Sequence, residues 1–292
     1  FGGKCGRSGR PPIEAAVARD HQGVSSSATV NEGPFWRLVR LRAAKSGPAV
    51  LVVAPYSGYA GAVLGELAAS LLPVGEVYFL DWTDARMVPT AFGGFGLEEQ
   101  LAVVLGALGL IEGPVHLVGV SQSGAVVLAA AALATAAADG TCRPISQPLS
   151  LTLLGTPIGE SRTRSAADWL LASLEHVRME SQLISVVPDR YPGAGRRVYP
   201  GLLQLLGLCL TNPGTYFEAQ AGLWAELLNG SPGAYDRMHG DLHRVADVPA
   251  ELFSETIEQT VRQPTLSAAG LRIGRHTIPA TGLERLPILT IE

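Results

Sequence analysis

Apolar and polar positions change period several times along the chain. In Trp36-Arg37-Leu38-Val39-Arg40-Leu41-Arg42 they alternate, which predicts a half-buried strand. Ala49-Val50-Leu51-Val52-Val53-Ala54 is an unbroken, largely β-branched run, as expected of a strand covered on both faces. Gly61 to Leu72 has helical spacing, and Glu76-Val77-Tyr78-Phe79-Leu80-Asp81-Trp82 predicts a third strand. Leu97 to Leu110 predicts a second helix, Val115 to Val120 another buried strand, and Gly124 to Ala138 an Ala-rich helix. Leu149 to Gly155 is again a strand. Strands and helices alternating over short connections predict an α/β fold: a mostly parallel sheet with helices on both faces.

The rhythm breaks after Gly155. Residues 160–280 read as helix and loop with no clear strand, and strand character returns only at Pro287–Ile291. A long helical insertion between two sheet strands is the pattern of a cap or lid; a separate small helical domain is the alternative. The division expected is a flexible tail or linker over 1–34, rich in Gly, Ser, Arg and Pro. The N-terminal part of the core follows over 35–159, the cap over 160–280 and a returning core strand over 281–292. The chain starts at Phe1 and stops just after a strand, so both ends read as cut and the C-terminal part of the fold as missing.

Composition narrows the function classes. Of 292 residues 47% are hydrophobic and 16% charged, enough apolar material for a sizeable core. The net charge of −4 and the lack of a basic cluster argue against a nucleic-acid partner. Three scattered cysteines, Cys5, Cys142 and Cys209, supply neither a disulfide framework nor a zinc site. The longest apolar stretches, Gly124–Ala138 and Gly201–Leu210, are shorter than the roughly 18 residues of a membrane span. No metal and no organic cofactor is implied.

The sharpest chemical feature is Gly119-Val120-Ser121-Gln122-Ser123-Gly124, where a buried strand runs directly into a helix. A nucleophile elbow needs this layout: small flanking residues permit the tight turn, and the turn lifts the nucleophile to the carboxyl end of the sheet. The helix start behind it offers amides to a developing oxyanion. The usual pattern is G-x-S-x-G; here Ser123 holds the fifth position and Gly124 follows. The competing reading is an ordinary turn with Ser121 or Ser123 as helix N-cap. A second oxyanion amide comes from the loop after an earlier strand, where Pro55-Tyr56-Ser57-Gly58 lies. The backbone N–H of Tyr56 is the candidate, with Ser57 as neighbouring alternative, partnered by that of Gln122. Asp81 to Arg86 follows the third strand at the same end of the sheet; a loop-fixing ion pair is its ordinary role. A serine nucleophile also requires a later acid and histidine. Glu160 is a fallback acid and His239 and His243 fallback bases, while the simplest expectation places the true Asp and His beyond Glu292 and the fragment itself inactive.

Several segments together resemble one family, the intracellular polyhydroxyalkanoate (polyhydroxybutyrate) depolymerases. They are Leu51 to Gly58, Asp81-Trp82-Thr83-Asp84-Ala85-Arg86-Met87-Val88-Pro89, His116 to Leu128, Val198 to Leu205, and Leu286 to Glu292. The resemblance implies an α/β-hydrolase fold and cleavage of ester bonds in a short-chain storage polyester. It also implies a cytoplasmic protein associated with polyester granules; oligomeric state is left open. The family's elbow commonly reads V-C-Q-P, where this chain has Val120-Ser121-Gln122-Ser123. Ser121 keeps a nucleophile of the ordinary lipase kind. No position matches the family's catalytic Asp or His. A carboxylesterase or lipase for small esters, and a non-catalytic granule-binding protein, are the alternative readings.

Overall fold

Continuous apolar runs became the centre of a sheet, and the weaker alternating run became its flank. The computed structural model describes residues 26–43, 47–56, 61–137, 146–156, 181–211, 213–230, 245–259, 266–267, 270–278 and 280–291. The first half of the chain supplies strands β1 (Ser27–Gly33), β2 (Trp36–Leu41), β3 (Ala49–Val53), β4 (Val77–Trp82), β5 (Val115–Val120) and β6 (Pro148–Leu154). Helices α1 (Gly61–Leu71), α2 (Leu97–Leu110) and α3 (Gly124–Ala137) connect β3 to β4, β4 to β5 and β5 to β6. Every residue of β3 and β4 is buried, as expected for strands covered on both faces.

The second half contributes short strands β7 (Ser185–Val186), β8 (Arg197–Tyr199), β9 (Val248–Pro249), β10 (Leu266–Ser267), β11 (Gly270–Ile273) and β12 (His276–Ile278), and then β13 (Ile288–Ile291). The helices among its described residues are α4 (Gly201–Thr211), α5 (Pro213–Leu228) and α6 (Ala250–Ile257). The main sheet has seven strands in the order β1-β2-β4-β3-β5-β6-β13. The β1–β2 and β2–β4 pairs are antiparallel and the remainder parallel. Right-handed crossovers in this order put α1 on one face and α2 on the other; α3 packs against α2. With its strand-to-helix turn after β5, this is the α/β-hydrolase fold that the resemblance implies.

Two expectations are corrected. Residues 27–33, read as part of a tail ending at 34, form β1 and pair with β2 at the sheet edge. All but its last residue are exposed, so burial left no apolar imprint on its sequence. The 160–280 stretch, read as helix and loop without a strand, contains among its described residues six short strands in two three-stranded sheets, β7-β8-β9 and β10-β11-β12. Strands of two to four residues are too short to display a period.

Charged side chains buried at the base of the insertion fasten it to the core. Asp84 begins the loop after β4 and caps a single 3-10 turn by accepting from the Arg86 amide at 3.1 Å. The Arg86 guanidinium meets Asp84 at 2.8 Å and Asp247, from just before β9, at 3.4 Å. Asp84 also accepts from the Asp247 amide, and Asp247 from the Gly201 amide at the start of α4. Arg196 is 5% exposed and donates to the carbonyls of Val88, Pro89 and Gly93, with its guanidinium 4.9 Å over the Phe35 ring. Glu255 of α6 accepts from the Leu97 amide at 2.7 Å and so caps α2 from the insertion side. The Asp-Ala-Arg string therefore performs the structural role weighed for it in the sequence.

Two outcomes follow from this clasp. Arg196→Met removes the donor to three carbonyls, of which only that of Pro89 keeps another, the Phe92 amide, and is expected to lower unfolding free energy by roughly 2–4 kcal/mol in urea titration. Burial holds the Asp84 carboxyl above its usual range, outweighing the opposing effect of Arg86. The folded state thus keeps that proton longer as pH rises. The contribution is complete below the ordinary carboxylate pKa and is lost as pH climbs through the raised folded value. The stability difference between wild type and Asp84→Asn should accordingly favour wild type more at about pH 3.5 than at about pH 7.

Candidate active site

In this sheet β3 is followed in sequence by β4 on one side, and the chain then crosses to β5 on the other. The carboxyl ends of β3 and β5 therefore flank a topological switch point, where open α/β sheets bind their ligands. Val53 pairs with Gly119, so the loop Ala54-Pro55-Tyr56 and the turn at Ser121 leave the sheet side by side.

Ser121 has φ +52°, the only positive φ of a non-glycine residue among those described. Such a conformation costs an L-residue about 1–3 kcal/mol and persists only where the surroundings impose it. The surroundings are close-packed here. A Cβ on Gly119 would lie 2.8 Å from the Gly124 Cα and 3.1 Å from the Val127 side chain. A Cβ on Gly124 would overlap the Thr156 side chain, which leaves the sheet after β6. The second small position of the elbow is therefore Gly124, one residue later than in G-x-S-x-G. Residues 121–123 form one 3-10 turn, closed by the Gly124 amide donating to the Ser121 carbonyl, before α3 begins. Ala125 to Ala132 of α3 are buried because the helix lies between the sheet and residues 271–283. An Ala-rich helix without charges suits a site enclosed on both sides.

Ser121 itself is exposed, Gln122 half-buried and Ser123 fully buried. The Ser123 hydroxyl donates to the Ala54 carbonyl, and the turn has no side-chain cap. The Ser123 hydroxyl is thus engaged across the end of the sheet. The same Ala54 carbonyl accepts from Trp82 Nε1 at 2.6 Å. Tyr56 is fully buried; its hydroxyl donates to the Thr83 carbonyl at 2.6 Å, and its ring stacks on Trp82. The structure thus brings together the loop holding Tyr56, the turn holding Ser121 and Gln122, and the start of the Asp81–Arg86 string. Ser123 and Trp82 as links between them were missed by sequence reasoning. The available signal was a hydroxyl where the usual motif has glycine.

Ser57, Glu160, His176, His239 and His243 lie outside the described residues. His116 sits near the start of β5, at the far end of the strand from Ser121, with Nδ1 2.7 Å from Ser150 Oγ. His276 is exposed on β12, 3.6 Å from Glu98. Among the described residues no helix is long and apolar enough to cross a membrane.

Residues 155–292 match the family described as PHB de-polymerase C-terminus. Over that stretch the chain is polyhydroxybutyrate-depolymerase-like, in agreement with the resemblance carried by its motifs. A search among curated proteins gave no match. Among solved structures, a protein from Sulfolobus solfataricus provisionally assigned as a lipase is 14% identical, with TM-score 0.44, over 94% of this chain and 89% of its own. Mouse alpha/beta hydrolase domain-containing protein 10 is 20% identical, with TM-score 0.34, over 57% of this chain and 62% of its own. Esterase B from Lactobacillus rhamnosis is 16% identical, with TM-score 0.34, over 51% and 55%. A bacterial membrane phospholipase A and a thioesterase domain from the curacin biosynthetic pathway are matched over 44% and 50% of their lengths. The chain therefore spans about half the length of several structures that it matches.

The strain at Ser121 predicts a stability signature separate from activity. Glycine adopts φ +52° freely. Ser121→Gly is expected to be more stable than Ser121→Ala by about 1 kcal/mol, measured by chemical denaturation.

Proposed function

We propose that this polyhydroxybutyrate-depolymerase-like chain acts as a hydrolase that cleaves ester bonds of a short-chain polyhydroxyalkanoate storage polyester. The observation that carries the reading is Ser121: exposed, strained, and lifted at the switch point of the sheet by a turn that has no other evident use. In the reaction, Ser121 Oγ attacks the ester carbonyl carbon. The serine proton goes to a base, and the carbonyl oxygen becomes an oxyanion held by the amides of Gln122 and Tyr56. Collapse expels the alcohol end of the polymer, which takes the proton from the base, and leaves a 3-hydroxyacyl ester on Ser121. Water then gives a proton to the base as it attacks that ester, and collapse releases the acid while the base returns the proton to the serine. No described residue fills the role of base or of its orienting acid.

The insertion supports an insoluble substrate. On α5, Phe217, Ala221, Trp224 and Leu228 follow the i, i+4, i+7, i+11 spacing of one helix face, and all four are exposed. Leu202 and Leu206, one turn apart on α4, are exposed as well. A water-soluble ester needs no such surface, whereas an amorphous polyester offers apolar area to cover it. Placement in the cytoplasm on polyester granules belongs to the same proposal. A general carboxylesterase is the second reading, favoured by Ser121 in place of the cysteine common in the family's elbow.

The experiment uses the full-length protein. Ser121→Ala should reduce both turbidity loss of amorphous polyhydroxybutyrate granules and hydrolysis of p-nitrophenyl butyrate by at least about 1,000-fold. Full activity in this variant would end the nucleophile assignment. Activity on the soluble ester alone would move the protein to the carboxylesterase reading.

A further inference from the structure

We infer that Ser123 is a positioning residue: through the Ala54 carbonyl it aims the Tyr56 amide at the oxyanion formed on Ser121. The inference rests on the proposed role of Ser121. Its geometry stands apart from that role.

Ala54 lies just beyond β3, and its carbonyl belongs to the peptide plane shared with Pro55. Two donors hold that plane. Ser123 Oγ reaches it from the elbow, and Trp82 Nε1 reaches it from the end of β4. Pro55 follows, and its ring fixes φ near −65°. With the Ala54–Pro55 plane pinned and that φ closed, only the ψ of Pro55 remains to orient the Tyr56 N–H. The far side of that amide is held too: the Tyr56 side chain is fully buried, stacked on Trp82 at 5.9 Å, with its hydroxyl on the Thr83 carbonyl. The amide is thereby preorganised before any substrate arrives, which is the condition under which an oxyanion donor is most effective.

The elbow and the oxyanion loop thus share one fastening. Ser123 is two residues from Ser121 in the same 3-10 turn, so a shift of the loop is felt at the nucleophile and the reverse. Neither the glycine of G-x-S-x-G nor the proline of V-C-Q-P can donate from this position. The hydroxyl is therefore this chain's own means of joining the two halves of the site.

The test uses the full-length protein carrying Ser123→Ala and, separately, Trp82→Phe, which removes the other donor and keeps a ring. Hydrogen–deuterium exchange over Val53–Tyr56 should quicken about tenfold in each variant, with exchange in β5 and α3 unchanged. On p-nitrophenyl butyrate, kcat per active site, counted by labelling Ser121 with an organophosphorus ester, should fall about tenfold with KM within about twofold. A purely structural role for Ser123 would lower the melting temperature and the labelled fraction but leave kcat per labelled site unchanged; that result overturns the inference. Unchanged exchange over Val53–Tyr56 in both variants overturns it too, whatever the activity. Full activity in Ser121→Ala instead sinks the nucleophile reading, and the exchange result then decides the brace alone.

Discussion

The active-site region depends on one unfavourable backbone conformation being held in place. Ser121 occupies the left-handed region at φ +52°, which an isolated L-residue avoids. The chain cannot relax there because α3 lies too close to β5: Gly119 and Gly124 nearly touch, and Thr156 closes the third side. Packing of a charge-free, Ala-rich helix against two parallel strands imposes the turn. The turn then exposes a hydroxyl that the rest of the core would otherwise bury.

That constraint extends beyond the elbow. The short 3-10 turn directs Ser123 inward to the Ala54 carbonyl, where Trp82 also arrives. Trp82 ends β4, and the next residues run into the Asp84–Arg86–Asp247 clasp that fixes the base of the insertion. The turn at Ser121, the loop Ala54–Tyr56 and the insertion therefore meet within a single stretch at the carboxyl end of the sheet. The buried charges in the clasp are satisfied mutually or by backbone groups, as burial of charge requires. The Asp-Trp-Thr-Asp-Ala-Arg string is thus the joint between core and insertion.

The legible part of the fold was the part with strong burial. The β3, β4 and β5 runs are apolar because both faces are covered, and their boundaries agree with the sequence pattern to within one or two residues. Strand β1 was invisible because it is an exposed edge, stabilised by backbone pairing that any side chain permits. The six short strands of the insertion were invisible for a related reason: two to four residues carry no period, and their pairing is set by partners distant in sequence. In the site, the elbow was legible as a strand–small–Ser–small–helix string. The off-by-one glycine was legible only as an irregularity.

By itself the sequence determined the α/β alternation, the position of the sharp turn and the family resemblance, because apolar period and small-residue spacing are local properties. The tertiary structure decided which glycine makes the close approach, that the Ser123 hydroxyl reaches the loop after β3, and that Asp84 and Arg86 bind the insertion. Each of these depends on a partner between about 30 and 160 residues away, and only the pairing order of the strands brings such partners within reach.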